Sequence, residues 1–311
     1  MGGVLAAQPP LDRPQAGGGA PGGAFGVAAA TQAGGAVAHE PEKDVYETHE
    51  VEAFYDASAE AEWSRLERHR TEFAVTLRAL EEHLPPPPAA VLDVGGGPGR
   101  YAIELTRRGY RVTLVDLSAA NLELARAKAN EAGIELEDVI QANALDLGGL
   151  ADAAYDAVLL MGPLYHLTDE DARRLAVRQA RRKLRAGGVI FAAFIARFAP
   201  MRDLAARDPG WAEGRWDYLE RLLQTGVHDS GEGFTVAYFA HPDEIEPLME
   251  AEGFATLGVL GCEGVVAGHE DKINALAGEA WARWVDLNYR LGQDPALWGA
   301  SDHLLYVGRK T

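Results

Sequence analysis

The stretch Val91-Leu92-Asp93-Val94-Gly95-Gly96-Gly97-Pro98-Gly99-Arg100-Tyr101 decides the fold. It reads as a buried strand, Ala90 to Val94, that runs into a glycine-rich turn and then a helix from Tyr101 to Arg108. Side chains are excluded from such a turn when a nucleotide-type ligand approaches the main chain, and glycines take backbone angles that other residues avoid. A chain with 35 glycines produces GxG patterns by chance, so the flanking residues carry the weight. Gly95, Gly97 and Gly99 make GxGxG, but Arg100 follows, and the third glycine of the dinucleotide fingerprint GxGxxG is missing. Asp93 precedes the first glycine by two, where dinucleotide-binding strands usually carry an apolar residue. An acid there holds a cationic amino group or the amides of the loop, and suits an amino-acid tail with a sulfonium better than a pyrophosphate.

Outward from this stretch, strands and helices alternate. Strands are expected at Arg111 to Val115, around Glu137 to Gln141, at Tyr155 to Leu160 and at Val189 to Ile195. Tyr155 to Leu160 is apolar on both faces, as a central parallel strand should be. Helices are expected from Asn121 to Ala132, ended by Gly133, and from a cap at Thr168 and Asp171 through Leu184, closed by Gly187-Gly188. This βαβ rhythm implies a mostly parallel sheet with helices on both faces, over residues 89–195. Upstream, residues 42–88 form a helical region with Phe54, Trp63, Leu66, Phe73, Leu77 and Leu80 at helical spacing, stopped by Pro85-Pro86-Pro87-Pro88. Residues 1–41 are almost all Gly, Ala, Pro and Gln and are expected to be disordered. Between 196 and 240 the rhythm breaks into an aromatic-rich inserted cap, and residues 241–311 return to the core with a helix at Pro242 to Glu252, a strand at Thr256 to Leu260, a helical stretch through Asn288 and a last strand at His303 to Val307.

The 311 residues carry 47 acidic against 29 basic side chains, a formal charge of −18. A field of that sign repels phosphate backbones and anionic headgroups, which excludes nucleic acid and membrane surfaces as favoured partners. The basic run Arg173, Arg174, Arg178, Arg181, Arg182, Lys183 and Arg185 sits on a periodic helix and reads as a solvated face. Cys262 is the single cysteine, so no intramolecular disulfide forms, and a multi-cysteine zinc site is excluded. The nine histidines are scattered, so no metal constellation is expected. With no secretory pattern and no apolar span of the ~20 residues a bilayer requires, a cytoplasmic location is the default. A homodimer is compatible with this composition.

Asp116 closes Val112-Thr113-Leu114-Val115-Asp116, 17 residues beyond Gly99, where a carboxylate accepts bidentate hydrogen bonds from a ribose diol. Taken alone it also reads as a cap for the next helix. With the glycine turn, Asp116 and the run Met161-Gly162-Pro163-Leu164-Tyr165-His166-Leu167 after the fourth strand, the chain resembles the class I S-adenosylmethionine-dependent methyltransferases, over roughly Tyr46 to Lys310. The resemblance implies a Rossmann-like seven-stranded sheet with its last strand antiparallel, an N-terminal helical lid, and methyl transfer from S-adenosylmethionine to an O, N or C atom of a small molecule. It also implies that Asp93 and Gly95, Gly96, Gly97 and Gly99 hold the methionine part of the cofactor, and that the Met161 carbonyl lies near its amino group. Asp116 with Leu117 would hold the ribose, and Asn143 with Ala144 the adenine, Asn143 standing where the family often has Asp.

His166 is the candidate base, because it follows the fourth strand at the carboxyl edge of the sheet, where ligands of open α/β folds collect. A histidine that only fixes its loop is the competing reading. Tyr55, Trp63, Arg65, Tyr165, His241 and Glu263 are candidate substrate contacts, against plainer roles in packing or, for Arg65, in pairs with Glu62 or Glu72. Two other functions stay open: an NAD-dependent oxidoreductase, which shares the strand, glycine loop and distal acid, and a cofactor-binding protein of the same fold that does not methylate.

Overall fold

The computed structural model describes residues 41–229 and 234–311. The expected disorder of the tail concerns residues outside this range, apart from Pro41, which opens the first helix. In chain order the elements are α1 (Pro41–Arg68), α2 (Arg70–His83), β1 (Ala90–Val94), α3 (Arg100–Arg107), β2 (Arg111–Asp116), α4 (Ala119–Glu131), β3 (Asp138–Gln141), β4 (Tyr155–Leu160), α5 (Glu170–Lys183) and β5 (Leu184–Ala196). There follow α6 (Ala199–Arg207), α7 (Trp216–Thr225), β6 (Val227–His228), β7 (Ala237–Ala240), α8 (Pro242–Ala251), β8 (Phe254–Gly261), α9 (Glu270–Asn274), α10 (Gly278–Gly292), α11 (Pro295–Trp298) and β9 (His303–Lys310).

Strands β3, β2, β1, β4 and β5 lie side by side and parallel. On the far side of β5 runs β9, antiparallel from Val189↔Arg309 to Ile195↔His303, and β8 in turn pairs antiparallel with β9. The seven expected strands are thus present, but the described residues hold nine, because the insertion contributes β6 and β7. The latter meets β5 only through Ile195↔Phe239 and Ala196↔Ala240. Their sequence lacked the length and the apolar alternation that mark a strand. In β1 the alternation feeds two cores: Leu92 and Val94 pack with Ala176, Val177 and Ala180 of α5, whereas Val91 packs with Leu80 of α2 and Leu105 of α3.

Two expectations along α5 are corrected. Its N-cap is Asp169, whose side chain accepts from the Ala172 amide at 3.0 Å, in place of Thr168 with Asp171. Its basic run is no uniformly solvated face, since Arg173 and Lys183 are buried. Arg173 donates to the carbonyls of Leu167 and Thr168, Lys183 to Leu150 and Asp152, and Arg174 and Arg178 share Glu252. The insertion is moored by buried Arg197, which donates to the carbonyls of Phe239, Leu223 and Gln224 and pairs with Glu244 at 2.8 Å. No helix among the described residues is long and apolar enough to cross a membrane.

Candidate active site

The strand order reverses between β1 and β4, and at such a switch point the carboxyl ends of the strands open a crevice. The glycine bend forms its floor. Gly95 and Gly96 donate to the Val115 carbonyl at 2.7 and 3.3 Å, which turns the chain across the end of β2. Gly95 takes φ +68°, and a Cβ on it would stand 2.5 Å from Cδ of Pro163. A Cβ on Gly162 would stand 2.7 Å from the Gly95 carbonyl oxygen, so the loops after β1 and β4 touch main chain to main chain. Gly162→Ala is therefore expected to push them apart and lower stability by about 1–3 kcal/mol, the usual range for overpacking, read as a fall in melting temperature.

Two carboxylates sit in this floor with opposite circumstances. Asp116 is well partnered: Oδ2 accepts from the Gly97 amide at 2.8 Å, and Oδ1 from the Ser118 amide at 2.9 Å and Asn121 Nδ2 at 3.2 Å, which leaves one lone pair on Oδ2. Asp93 is buried, and neither of its oxygens has a hydrogen-bond partner among the described residues. Burial, with the neighbouring Asp116 charge, pushes its carboxyl up to about 7. No amide of the loop holds this carboxylate, and a cationic group is the partner that suits a buried acid of this kind.

Around this floor a cleft with about 1080 Å³ of empty space, part of it open to solvent, is walled by α1 through Val51, Glu52, Tyr55, Glu62, Arg65 and Leu66. Asp116, Leu117, Asn143, Ala144, Met161, Tyr165 and His166 line it as well. The Asn143 side-chain oxygen accepts from the Leu145 amide at 2.9 Å, and the Met161 carbonyl from the Tyr165 hydroxyl at 3.1 Å. His166 is no free base here. Its Nδ1 faces the Val236 carbonyl at 3.1 Å and must donate to it, so Nε2 accepts from the Tyr55 hydroxyl at 2.8 Å. Burial pulls this imidazole down to about 4, against the opposing Val236 hydrogen bond. Tyr55, Tyr165 and Phe234 surround the ring, with centroids 4.8 to 5.5 Å away.

Residues 91–188, from the middle of β1 into β5, match a family described as a methyltransferase domain. Two curated relatives are ubiquinone biosynthesis O-methyltransferases, from Mesorhizobium japonicum (30% identical over 203 residues, 64% of this chain and 70% of the relative) and Xylella fastidiosa (33% over 187 residues, 60% and 69%). The chain belongs to the class I S-adenosylmethionine-dependent methyltransferases. Another relative of the same description, from Xanthomonas axonopodis pv. citri, is 30% identical over 154 residues, and there the match spans 60% of the relative's length. The fold is shared with an S-adenosylmethionine-dependent methyltransferase from Methanosarcina mazei (16% identical, 75% of this chain and 96% of that one, TM-score 0.51). It is also shared with the 1,6-didemethyltoxoflavin-N1-methyltransferase of Burkholderia thailandensis (16%, 89% and 93%, TM-score 0.51).

The class takes its name from S-adenosylmethionine, and the residues present fit that molecule: the unpartnered Asp93 offers charge to a cation, and the glycine bend offers bare main chain. Three expected substrate contacts are corrected. Trp63 does not line the cleft and lies under the Arg100 guanidinium, 4.5 Å from ring to Cζ, with Lys128 Nζ 5.4 Å away, a packing contact of α1 with α3 and α4. His241 caps α8, its Nδ1 accepting from the Asp243 amide, and does not line the cleft. Glu263 is wholly buried behind the cleft, accepting from Ser301 Oγ, the amides of Asp302 and His303, and His303 Nδ1 at 2.6 Å. Arg65 does line the cleft, but with its guanidinium committed to both weighed partners, Glu62 at 2.9 Å and Glu72 at 2.6 Å.

Sequence reasoning passed over Glu62, Tyr101 and Asn121, which also line the cleft. The one available signal was helical spacing, which puts Glu62 on the face of Arg65. It also did not anticipate that Glu72, Glu263 and His303 each bring a ligand-type atom to within 4.8 Å of the others.

Proposed function

We propose that the chain methylates an O, N or C atom of a small, uncharged or cationic organic molecule, seated against Tyr55, Tyr165 and His166 in the cleft. The observation that carries this reading is the unpartnered Asp93 carboxylate beneath the glycine bend. S-adenosylmethionine, when bound, supplies a methyl group already activated on a sulfonium. Asp93 and the bend would bind its methionine part, Asp116 with Leu117 its ribose, and Asn143 with Ala144 its adenine. The chain's work is then alignment and exclusion of water, and alignment of reacting groups contributes roughly 7–11 kcal/mol. Helix α1 serves as the lid, since it supplies one wall of the cleft. The two cationic side chains that line the cleft are engaged, Arg65 of α1 with Glu62 and Glu72 and Arg100 of α3 with Glu67, which disfavours an anionic acceptor. The acidic balance and the lone buried Cys262 support a cytoplasmic enzyme that does not take nucleic acid.

His166 orients Tyr55 in this scheme and takes no proton, so His166→Gln is expected to cost less than about tenfold in kcat, against the roughly 10²–10⁴ that loss of a true general base brings. Ligand and reaction are tested together. S-adenosylmethionine at ~100 times its Kd should stabilise the protein by about 2.7 kcal/mol, where NADH gives no shift, and labelled methyl should pass to some member of a panel of phenols, heteroaromatics and amines. Protection by NADH alone would overturn the reading. Tight binding without any turnover would leave a cofactor-binding protein that does not methylate.

A further inference from the structure

Behind the cleft, a chain of charged groups links the C-terminal strands to the lid. Glu263, just past the end of β8, binds His303 Nδ1 at 2.6 Å, and the same nitrogen lies 3.7 Å from Glu72 Oε2 on α2. Glu72 holds Arg65 with both oxygens, at 2.6 and 3.2 Å, and Arg65 reaches on to Glu62 in the wall of the cleft. We propose that Glu263 and His303 are positioning residues for cofactor binding, which act through Glu72 to keep the Arg65 guanidinium beside Glu62 in the cleft wall. This rests on the reading of the cleft as the S-adenosylmethionine site.

The physical reason is charge balance. Glu72 and Glu263 are both buried, and the imidazolium between them lets Arg65 be shared with Glu62. Without that charge, two buried carboxylates compete for a single guanidinium, Arg65 is drawn inward, and Glu62 is left uncompensated in a cleft that already holds Asp93 and Asp116. Burial works against the His303 proton, but the carboxylates of Glu72 and Glu263 push it up to about 9. The other titratable or charged groups that face the cluster are Arg65 and Glu62 of α1, His69 and Glu270, which pair at 2.5 Å, Tyr101 of α3, Tyr165 of the cleft, whose hydroxyl pKa burial raises, buried Cys262, and Asp302, which is tied to Arg202. Burial raises both Tyr101 and Cys262 well above their ordinary values, so neither ionises in the range where His303 does.

The test is calorimetric binding of S-adenosylhomocysteine, which is stable in alkali, to wild type, His303→Gln and Glu263→Gln between pH 7 and 10. The ligand's own amine titrates for all three proteins, so the readout is the ratio of affinities. Wild type should bind about tenfold tighter than His303→Gln at neutral pH, the worth of one charge-assisted contact, and the ratio should fall to one as pH passes about 9. In Glu263→Gln, which keeps the shape but lowers the His303 pKa, the same fall should come at lower pH. A purely packing role predicts a ratio that does not change with pH, and that result overturns the proposal. So does affinity that rises with added zinc and is lost with chelator, because a metal would then occupy the place of the proton. Failure of wild type to bind the ligand at all would instead sink the reading of the cleft.

Discussion

Asp116→Ala is expected to weaken S-adenosylmethionine binding at least a hundredfold and to lower the melting temperature of the free protein by several degrees. Both effects come from one side chain with two tasks. In the free protein Asp116 accepts from Gly97, Ser118 and Asn121, so it ties the glycine bend to the start of α4. Burial raises its pKa, while the hydrogen bonds from Ser118 and Gly97 favour its charged form. Alanine would leave these donors without an acceptor, at about 1–3 kcal/mol for each that water cannot reach. The proposed ribose contact takes the carboxylate's remaining lone pair, and one hydrogen bond to a charged acceptor, about 1.5–3 kcal/mol, together with the loosened glycine bend gives the hundredfold. Asp116→Asn separates the tasks in part: its amide oxygen still accepts from Ser118 and Asn121, but its NH2 group faces the Gly97 amide and pairs poorly with a diol. It should melt between Asp116→Ala and wild type and bind poorly. Wild-type affinity in Asp116→Asn would mean that the ribose lies elsewhere.

The half of the site built by β1, β2 and their loops was legible in the sequence because a chain segment there supplies its own chemistry. Asp93, Gly95 and Gly97 lie within one turn, and Asp116 is fixed by the end of the adjacent parallel strand. The other half depends on contacts that no local pattern announces. Glu263 was expected at the rim because it follows a strand, yet antiparallel β9 brings His303 and Ser301 around it and seals it behind the cleft. His241 stands at an equally suggestive strand end, but the Pro242 that follows starts a helix, and the cap takes the imidazole. Trp63 shares a helix with cleft residues but packs under Arg100 of α3 and Lys128 of α4, and helical spacing, which sets it three residues from Leu66 and about three turns from Glu52, did not separate it from them. Residues Glu62, Arg65, His69 and Glu72 recur at intervals of three, four and three, the visible trace of the ion network that joins the lid to the C-terminal strands.

Asp93→Asn is expected to give the second large effect, and its sign depends on pH. The Asp93 carboxyl titrates at about 7 in the folded protein, against 3.8 when unperturbed, so between these values the folded chain holds a proton that the unfolded chain has released. Stability of the free protein therefore falls as pH rises from about 4 to about 7, by up to roughly 4 kcal/mol for three pK units. Above that range the buried charge stands without a partner until a cation arrives. Asparagine carries no such charge, so free Asp93→Asn should melt at or above wild type at pH 8 and show no advantage at pH 5. Binding runs the other way: wild-type affinity for S-adenosylmethionine should strengthen as the carboxyl deprotonates through about 7, and the asparagine variant should lose a hundredfold or more at pH 8 without that rise. Stability thus given up in the free enzyme is recovered on binding, which makes the cofactor's positive charge a condition of the stable bound state. A variant that melts below wild type at pH 8, or that binds equally well, would place the compensating partner of Asp93 inside the protein and remove the ligand's cation from the argument.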